Sequence, residues 1–402
     1  MKLSFISILV YFLILLSGSL EAQQFNFQTW SIDDGLAQSQ VFSMLADSRG
    51  YLWLGTNGGG LSRFDGERFE NFSRKDNLPG SYIYAIIEDN SGNLWIGTDK
   101  GLCLHDGLEF KPFYLDSLGV QTISSLEKDS TGAIWIGTAL GLVKFQNNTF
   151  AFKNELLPTT TNNLALHSLF KDSKGNLWAG LENQVVRIGQ NNKAWTYSTG
   201  YTGGRVYDIT EDHEQNIWLA TFRGAYRFDD STFTRLTVSD GLPSNFVQAV
   251  FVDDHKNIWL GFQNRGITIF NPQDSTITNL SENDGLSKND VRCLSQDRWG
   301  NIWIGSSGGG ISKYSGQQFE HFNRTNKLVA NRIYAIFQDT ANNLLISASN
   351  RGFSEITDSV LIHHGASSDF IDVAVKALFK DSRGNTWVGT EGKGLATIDS
   401  TG

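Results

Sequence analysis

Asp89-Asn-Ser-Gly-Asn-Leu-Trp-Ile-Gly-Thr98 decides the fold, because the chain keeps returning to it. Versions of this phrase centre on Trp53, Trp95, Trp135, Trp178, Trp218, Trp259, Trp303 and Trp387. Leu345, in Asn343-Leu-Leu-Ile-Ser347, fills the one gap. The result is nine copies spaced 40 to 44 residues apart. A period of that size means one supersecondary unit copied in tandem, each copy burying its faces against its neighbours.

The residues around the quoted phrase describe a single copy. Ile83-Tyr-Ala-Ile-Ile-Glu-Asp89 is an apolar and aromatic run that predicts a strand, and Asn90-Ser-Gly-Asn93 is turn chemistry. Leu94–Thr98 predicts a second strand, Leu102–His105 a third after Asp99-Lys-Gly101, and Phe110–Phe113 a short fourth after Asp106-Gly107. Four short antiparallel strands per copy, with no helical period, predict an all-β propeller built of four-stranded blades.

The recurrent positions have structural readings. An aspartate stands six residues before each Trp or Leu345: Asp47, Asp89, Asp129, Asp172, Asp212, Asp253, Asp297, Asp339 and Asp381. At a strand end, such a residue bonds the backbone N–H groups of its own turn. A metal site would need several oxygens converging on one ion, and aspartates distributed around a ring do not converge, so no metal or cofactor is expected. The Trp is expected to fill the space between blades. The small residue two positions later, usually glycine, is expected to let neighbouring sheets approach.

Bulk composition narrows the function. The net charge is −9 and no Lys/Arg run occurs, which argues against nucleic acid and anionic membranes as partners. The two cysteines, Cys103 and Cys293, fall in copies far apart and are expected to be free thiols. Residues 1–22 read as a cleaved signal peptide: Lys2, an apolar run from Phe5 to Leu16, then a small-residue exit ending at Ala22. That run is too short to span a bilayer, and no later segment is apolar enough, so an exported, periplasmic protein is expected.

The chain enters out of phase. Phe25-Asn-Phe-Gln-Thr-Trp30 matches the fourth-strand segment Phe69–Phe72, while the last copy stops after the third-strand segment Leu395–Asp399. Two closures fit. In one, residues 23–316 form a seven-bladed ring, with Phe25–Trp30 beside Ile311–Tyr314, and residues 317–402 begin a second, incomplete propeller at Phe319–Phe322. In the other, all nine copies form one ring, with Phe25–Trp30 beside Leu395–Ile398. Blade counts above eight are uncommon, which favours the first.

The phrase Asp-x-x-Gly-Asn-Leu-Trp-Ile-Gly-Thr, then Gly-Gly-Leu-Ser-Arg-Phe-Asp-Gly and Asp-Gly-Leu-Pro, resembles the two-component regulator propeller repeat, most clearly at residues 47–66, 89–107, 240–243 and 297–316. The resemblance implies an extracytoplasmic sensor, often of glycans, whose relatives usually carry two seven-bladed propellers, a β-sandwich, a transmembrane helix and a cytoplasmic histidine kinase. This sequence shows neither sandwich, transmembrane helix nor kinase, so kinase activity is carried onto none of its residues. A downstream kinase module is the expected partner if the chain is a fragment, and a homodimer stays open.

In a propeller, the blade-joining loops and the second-to-third strand loops share one face, while the aspartate turns lie on the other. The face whose loops differ between copies is the candidate binding face. The residues chosen there for an oligosaccharide or other small ligand are Tyr82, Arg205, Tyr207, Arg223, Asn245, Arg265, Asn289 and Arg292. Aromatic rings stack on sugars, and guanidinium groups and amides bind their polar substituents. The seven histidines are scattered, and no nucleophile elbow, phosphate loop or zinc spacing occurs, so no catalytic residue is assigned. A scaffold for protein partners and, behind it, a propeller lyase or hydrolase are the alternatives.

Overall fold

The computed structural model describes residues 25, 27–158, 163–198, 204–316, 332–339, 343–348, 352–357, 361–364 and 373–399. The signal segment at 1–22 and the expected second-ring start at Phe319–Phe322 lie outside the described residues. The chain divides into two units, residues 1–318 and 319–402.

The first unit holds seven four-stranded antiparallel sheets. Their inner strands are Val41–Ala46, Ile83–Glu88, Ile123–Lys128, Ser168–Lys171, Val206–Glu211, Val247–Val252 and Val291–Gln296. Each packs beside the next, and the seventh packs beside the first, so they encircle a central channel. The seventh blade takes its outer strand from the beginning of the chain: Phe27–Trp30 pairs antiparallel with Ile311–Tyr314, in the register Phe27↔Tyr314 to Trp30↔Ile311. Trp30 then lies 5.2 Å from Phe64 of the first blade and 5.3 Å from Trp303 of the seventh, ring centre to ring centre. One side chain thus packs across the seam of the ring.

The second unit holds a four-stranded sheet, Ile333–Gln338, Leu344–Ala348, Phe353–Ile356 and Leu361–His364. A three-stranded sheet follows, Val375–Lys380, Thr386–Thr390 and Leu395–Ile398.

The repeated aspartate and tryptophan, assigned separate jobs from the sequence, form one device. In the fourth blade, Asp172 Oδ1 accepts from the Asn176 backbone N–H at 2.7 Å, while Oδ2 accepts from the Trp178 indole at 2.8 Å. The same indole-to-carboxylate bond recurs from Trp53 to Asp47 at 2.8 Å and from Trp259 to Asp253 at 2.7 Å. One carboxylate closes the turn and also satisfies the N–H of the large ring that packs between blades, so a buried polar atom is not left unpaired.

The small residue after the Trp acts as expected. A Cβ on Gly55 would lie 2.8 Å from Ile83 Cγ2 and 2.9 Å from the Ile83 carbonyl oxygen, both in the next blade. On the aspartate-turn face, neighbouring blades are also stitched together. Glu88 accepts from the Ser48 N–H at 2.9 Å, and Glu211 accepts from the Ser173 N–H at 2.7 Å. Both cysteines are free, and burial pushes each thiol up to about 12.

Candidate functional site

Six of the seven inner strands in the first unit begin with a register shift, for example between Val206 and Asp208 and between Val291 and Cys293. The extra residue bulges where the strand leaves the blade-joining loop. Aligned on the pairing with the small residue of the second strand, the bulge position is Phe42, Tyr84, Ser124, His167, Tyr207, Gln248 and Arg292. The fold therefore sets seven side chains of six kinds around the channel mouth on a framework that is otherwise uniform. Phe42 and Tyr84, from adjacent blades, stack at 5.9 Å.

The richest arc runs over the fourth to seventh blades. The Arg205 guanidinium lies 5.7 Å from the Tyr207 ring centre. Tyr207 is 5.2 Å from Phe246, and Phe246 meets Phe222 edge-on at 4.9 Å. Phe222 is 48% exposed, which makes the outer end of this aromatic run available to solvent. Asp290 gathers the seventh-blade side: Gln248 Nε2 donates to its Oδ1 and Arg292 Nη2 to its Oδ2, both at 3.2 Å. His167 Nε2 stands 3.9 Å from Glu182 Oε2. Burial, and then the nearby Arg205 charge, lower His167 to about 4, so its imidazole is neutral at physiological pH. Below the mouth, the Asp208 carboxylate accepts from the N–H groups of Ile209 at 2.9 Å and Val250 at 3.0 Å. The residue keeps some accessible surface, but its carboxyl group is enclosed, and burial raises it to about 7.

Beside the aromatic run lies a shallow pocket lined by Phe222, Arg223, Arg235, Ser244, Asn245 and Phe246. The loop that carries Phe222 and Arg223 is held by Thr221, whose Oγ1 donates to the Gly224 carbonyl at 2.8 Å and accepts from the Arg223 N–H at 3.0 Å.

The eight residues chosen from the sequence fall into distinct places. Arg205, Tyr207 and Arg292 meet at the channel mouth, and Arg223 and Asn245 line the adjoining pocket. Tyr82 is on the second blade, where it forms a bridge with Asn57, away from this arc. Arg265 is exposed in the loop equivalent to that of Arg223, one blade on. Asn245 and Asn289 are equivalent, and both hold their own loops: their Oδ1 atoms accept from the N–H groups of Val238 at 3.0 Å and Glu282 at 2.8 Å. Phe246, Gln248 and Arg235 escaped the sequence reading. The signal for Gln248 was a variable column next to the Val or Ile that opens six of the seven inner strands.

Two-component regulator propeller repeats match residues 35–58, 77–100, 200–223, 285–308 and 369–392. Among solved structures, the chain is similar to the extracellular domain of the putative hybrid two component system BT3049 from B. thetaiotaomicron, with 19% identity and a TM-score of 0.64 over 93% of this chain and 59% of that one. The extracellular domain of BT4673 from the same organism gives 17% identity and a TM-score of 0.60 over 94% of this chain and 53% of that one. The chain thus spans somewhat over half the length of these two domains. A streptogramin B lyase structure gives 15% identity and a TM-score of 0.62 over 72% of this chain and 97% of that one. At these identities the likeness is one of fold. No curated protein sequence matches the chain.

Proposed function

We propose that the chain is the ligand-sensing propeller of a two-component signal transduction system, exported through residues 1–22 and binding an oligosaccharide at the channel mouth. The observation that carries this reading is the arc of Arg205, Tyr207, Phe246, Gln248, Asp290 and Arg292. It joins aromatic rings to hydrogen-bonding groups at and beside the bulge position, where the repeats diverge. Such a mixture suits sugars, whose C–H faces stack on rings while their hydroxyls need donors and acceptors. The matched repeats and the likeness to extracellular domains of two-component systems support the sensor role. Occupancy of the mouth would favour one geometry of whatever the propeller adjoins, which is how a binding event becomes a signal. Kinase chemistry in this reading belongs to a separate module.

Thermal unfolding of the protein against a panel of oligosaccharides tests the reading. The expected result is a ligand-dependent rise in the melting temperature with the ligand recovered intact. Ligand converted to product would replace the sensor with an enzyme.

A further inference from the structure

We propose that the cleft between the third and fourth blades, at the aspartate turns, binds a small aromatic carboxylate. Its ring takes the place of a side-chain ring that six other blades carry, and its carboxylate the place of an acceptor that other seams of the ring carry. The site is separate from the channel mouth and does not rest on the oligosaccharide reading.

The missing ring is the first observation. The third strand of each blade in the first unit sets one residue opposite the first residue of the second strand. In six of the seven blades that residue is aromatic and meets the repeat Trp of the preceding blade. Phe145 lies 5.4 Å from Trp95, and Phe228 lies 5.9 Å from Trp178. The fourth blade has Ile188 instead, and it packs in one cluster with Trp135. A cavity of about 260 Å³ is left there, with Trp135, Leu177 and Ile188 among its walls. That is a little under the roughly 300 Å³ at which small-ligand pockets begin, a size for a one-ring compound.

The missing acceptor is the second. In three seams, the residue before a repeat aspartate accepts from the backbone N–H that follows the aspartate of the preceding blade. Glu88 accepts from Ser48 at 2.9 Å, Glu211 from Ser173 at 2.7 Å and Gln296 from Asp254 at 3.1 Å. The fourth blade has Lys171 at that position, and an ammonium group cannot accept. The Ser130 N–H, at the edge of the cavity, has no protein acceptor among the described residues. The Lys171 ammonium lines the same cavity and forms no hydrogen bond or ion pair among them. The other two lysines of the lining are engaged: Lys128 Nζ donates to the Glu88 carbonyl, and Lys144 Nζ lies 3.2 Å from Asp129 Oδ2. Asp129 is the one carboxylate of the lining. Glu127 lies outside it, held by the N–H groups of Lys128 and Lys171 at 2.9 and 3.2 Å. In the next seam, Phe228 and Glu211 supply ring and carboxylate across the same register that here joins Ile188 and Lys171. An aromatic carboxylate supplies both at once, with Lys171 and Ser130 as donors to its oxygens.

Calorimetric titration of the protein with phenylacetate and its neutral analogue phenylacetamide tests this. Phenylacetate should bind one to one, and phenylacetamide about ten-fold more weakly or worse. Ile188→Phe installs the missing ring and Lys171→Glu the missing carboxylate. Each should abolish phenylacetate binding without lowering the melting temperature, because each copies the neighbouring seam. Tyr207→Ala should leave phenylacetate binding unchanged, so this site and the channel mouth can fail separately. No saturable phenylacetate binding, equal binding of the amide, binding that survives either folded variant, or binding lost in Tyr207→Ala overturns the site. If one variant melts early, the other decides.

Discussion

The Lys380 ammonium lies 3.0 Å from Asp339 Oδ2, in the role that a tryptophan indole plays in the other copies of the repeat. Copy eight has Leu345 where the others have Trp, so the aspartate lacks an indole donor. A lysine from the following sheet supplies one, and its other contact is Glu355 Oε1 at 3.2 Å. Partial burial works against its charge, but hydrogen bonds to Asp339 and Glu355 raise it above the ordinary lysine value. The Asp339 side chain is only 6% exposed, so its carboxylate is shielded from water.

Lys380→Met should therefore destabilise the second unit by about 1–3 kcal/mol, because it leaves a buried carboxylate without its cation. Hydrogen exchange at Leu344–Ala348 and Val375–Lys380 reads this directly. Trp178→Phe tests the ordinary version of the device: it removes the donor to Asp172 and should cost about 1–3 kcal/mol in denaturant unfolding of the first unit. Wild-type stability in both variants would show that the shared carboxylate is not a stabilising element.

Ring closure through the first strand makes a covalent prediction. Gln28 and Lys313 are register partners at opposite ends of the first unit. Gln28→Cys with Lys313→Cys should oxidise within one chain and raise the melting temperature, since the bond closes a very long loop in the unfolded state. Non-reducing electrophoresis should show a faster monomer band. Only intermolecular dimers would contradict the pairing.

How much of this was legible follows from what the repeats share. Strand order, the small residue after the Trp and the out-of-phase entry at Phe27–Trp30 were readable because every copy repeats them. The bond between Asp172 and Trp178 was hidden, because six residues of sequence separation do not reveal that a turn folds the two side chains together. The channel-mouth ring was half hidden for a related reason. A strand read by strict alternation has no place for a bulged residue, so of the bulged positions only Tyr207 and Arg292 were named from the sequence, and Gln248 was passed over. Asn245 and Asn289, read from the sequence as ligand contacts, each secure their own turn, a role that loop polarity alone does not reveal.

Asp208 gives the stability a pH signature. Burial raises its carboxyl to about 7 in the folded state, well above the unfolded carboxylate value. Between about pH 4 and 7 the native state holds a proton that the unfolded state has lost, so this group's contribution falls as pH rises through that window. Asp208→Asn should remove the slope, with wild type losing about 1–3 kcal/mol relative to the variant from pH 4 to pH 7. His167, depressed to about 4, acts in the opposite direction, but both proteins share it. Parallel profiles for the two would place the Asp208 carboxyl in water.

Ligand binding at the channel mouth on the loop face is the central proposal, and calorimetric titration with a saturating oligosaccharide is its sharpest test. Tyr207→Ala should weaken binding ten-fold or more, on the order expected for losing an aromatic platform. Trp299→Ala, which removes a 64% exposed ring from the aspartate-turn face, should leave binding unchanged. Binding that survives Tyr207→Ala and fails in Trp299→Ala would contradict the account and move the site to the opposite face.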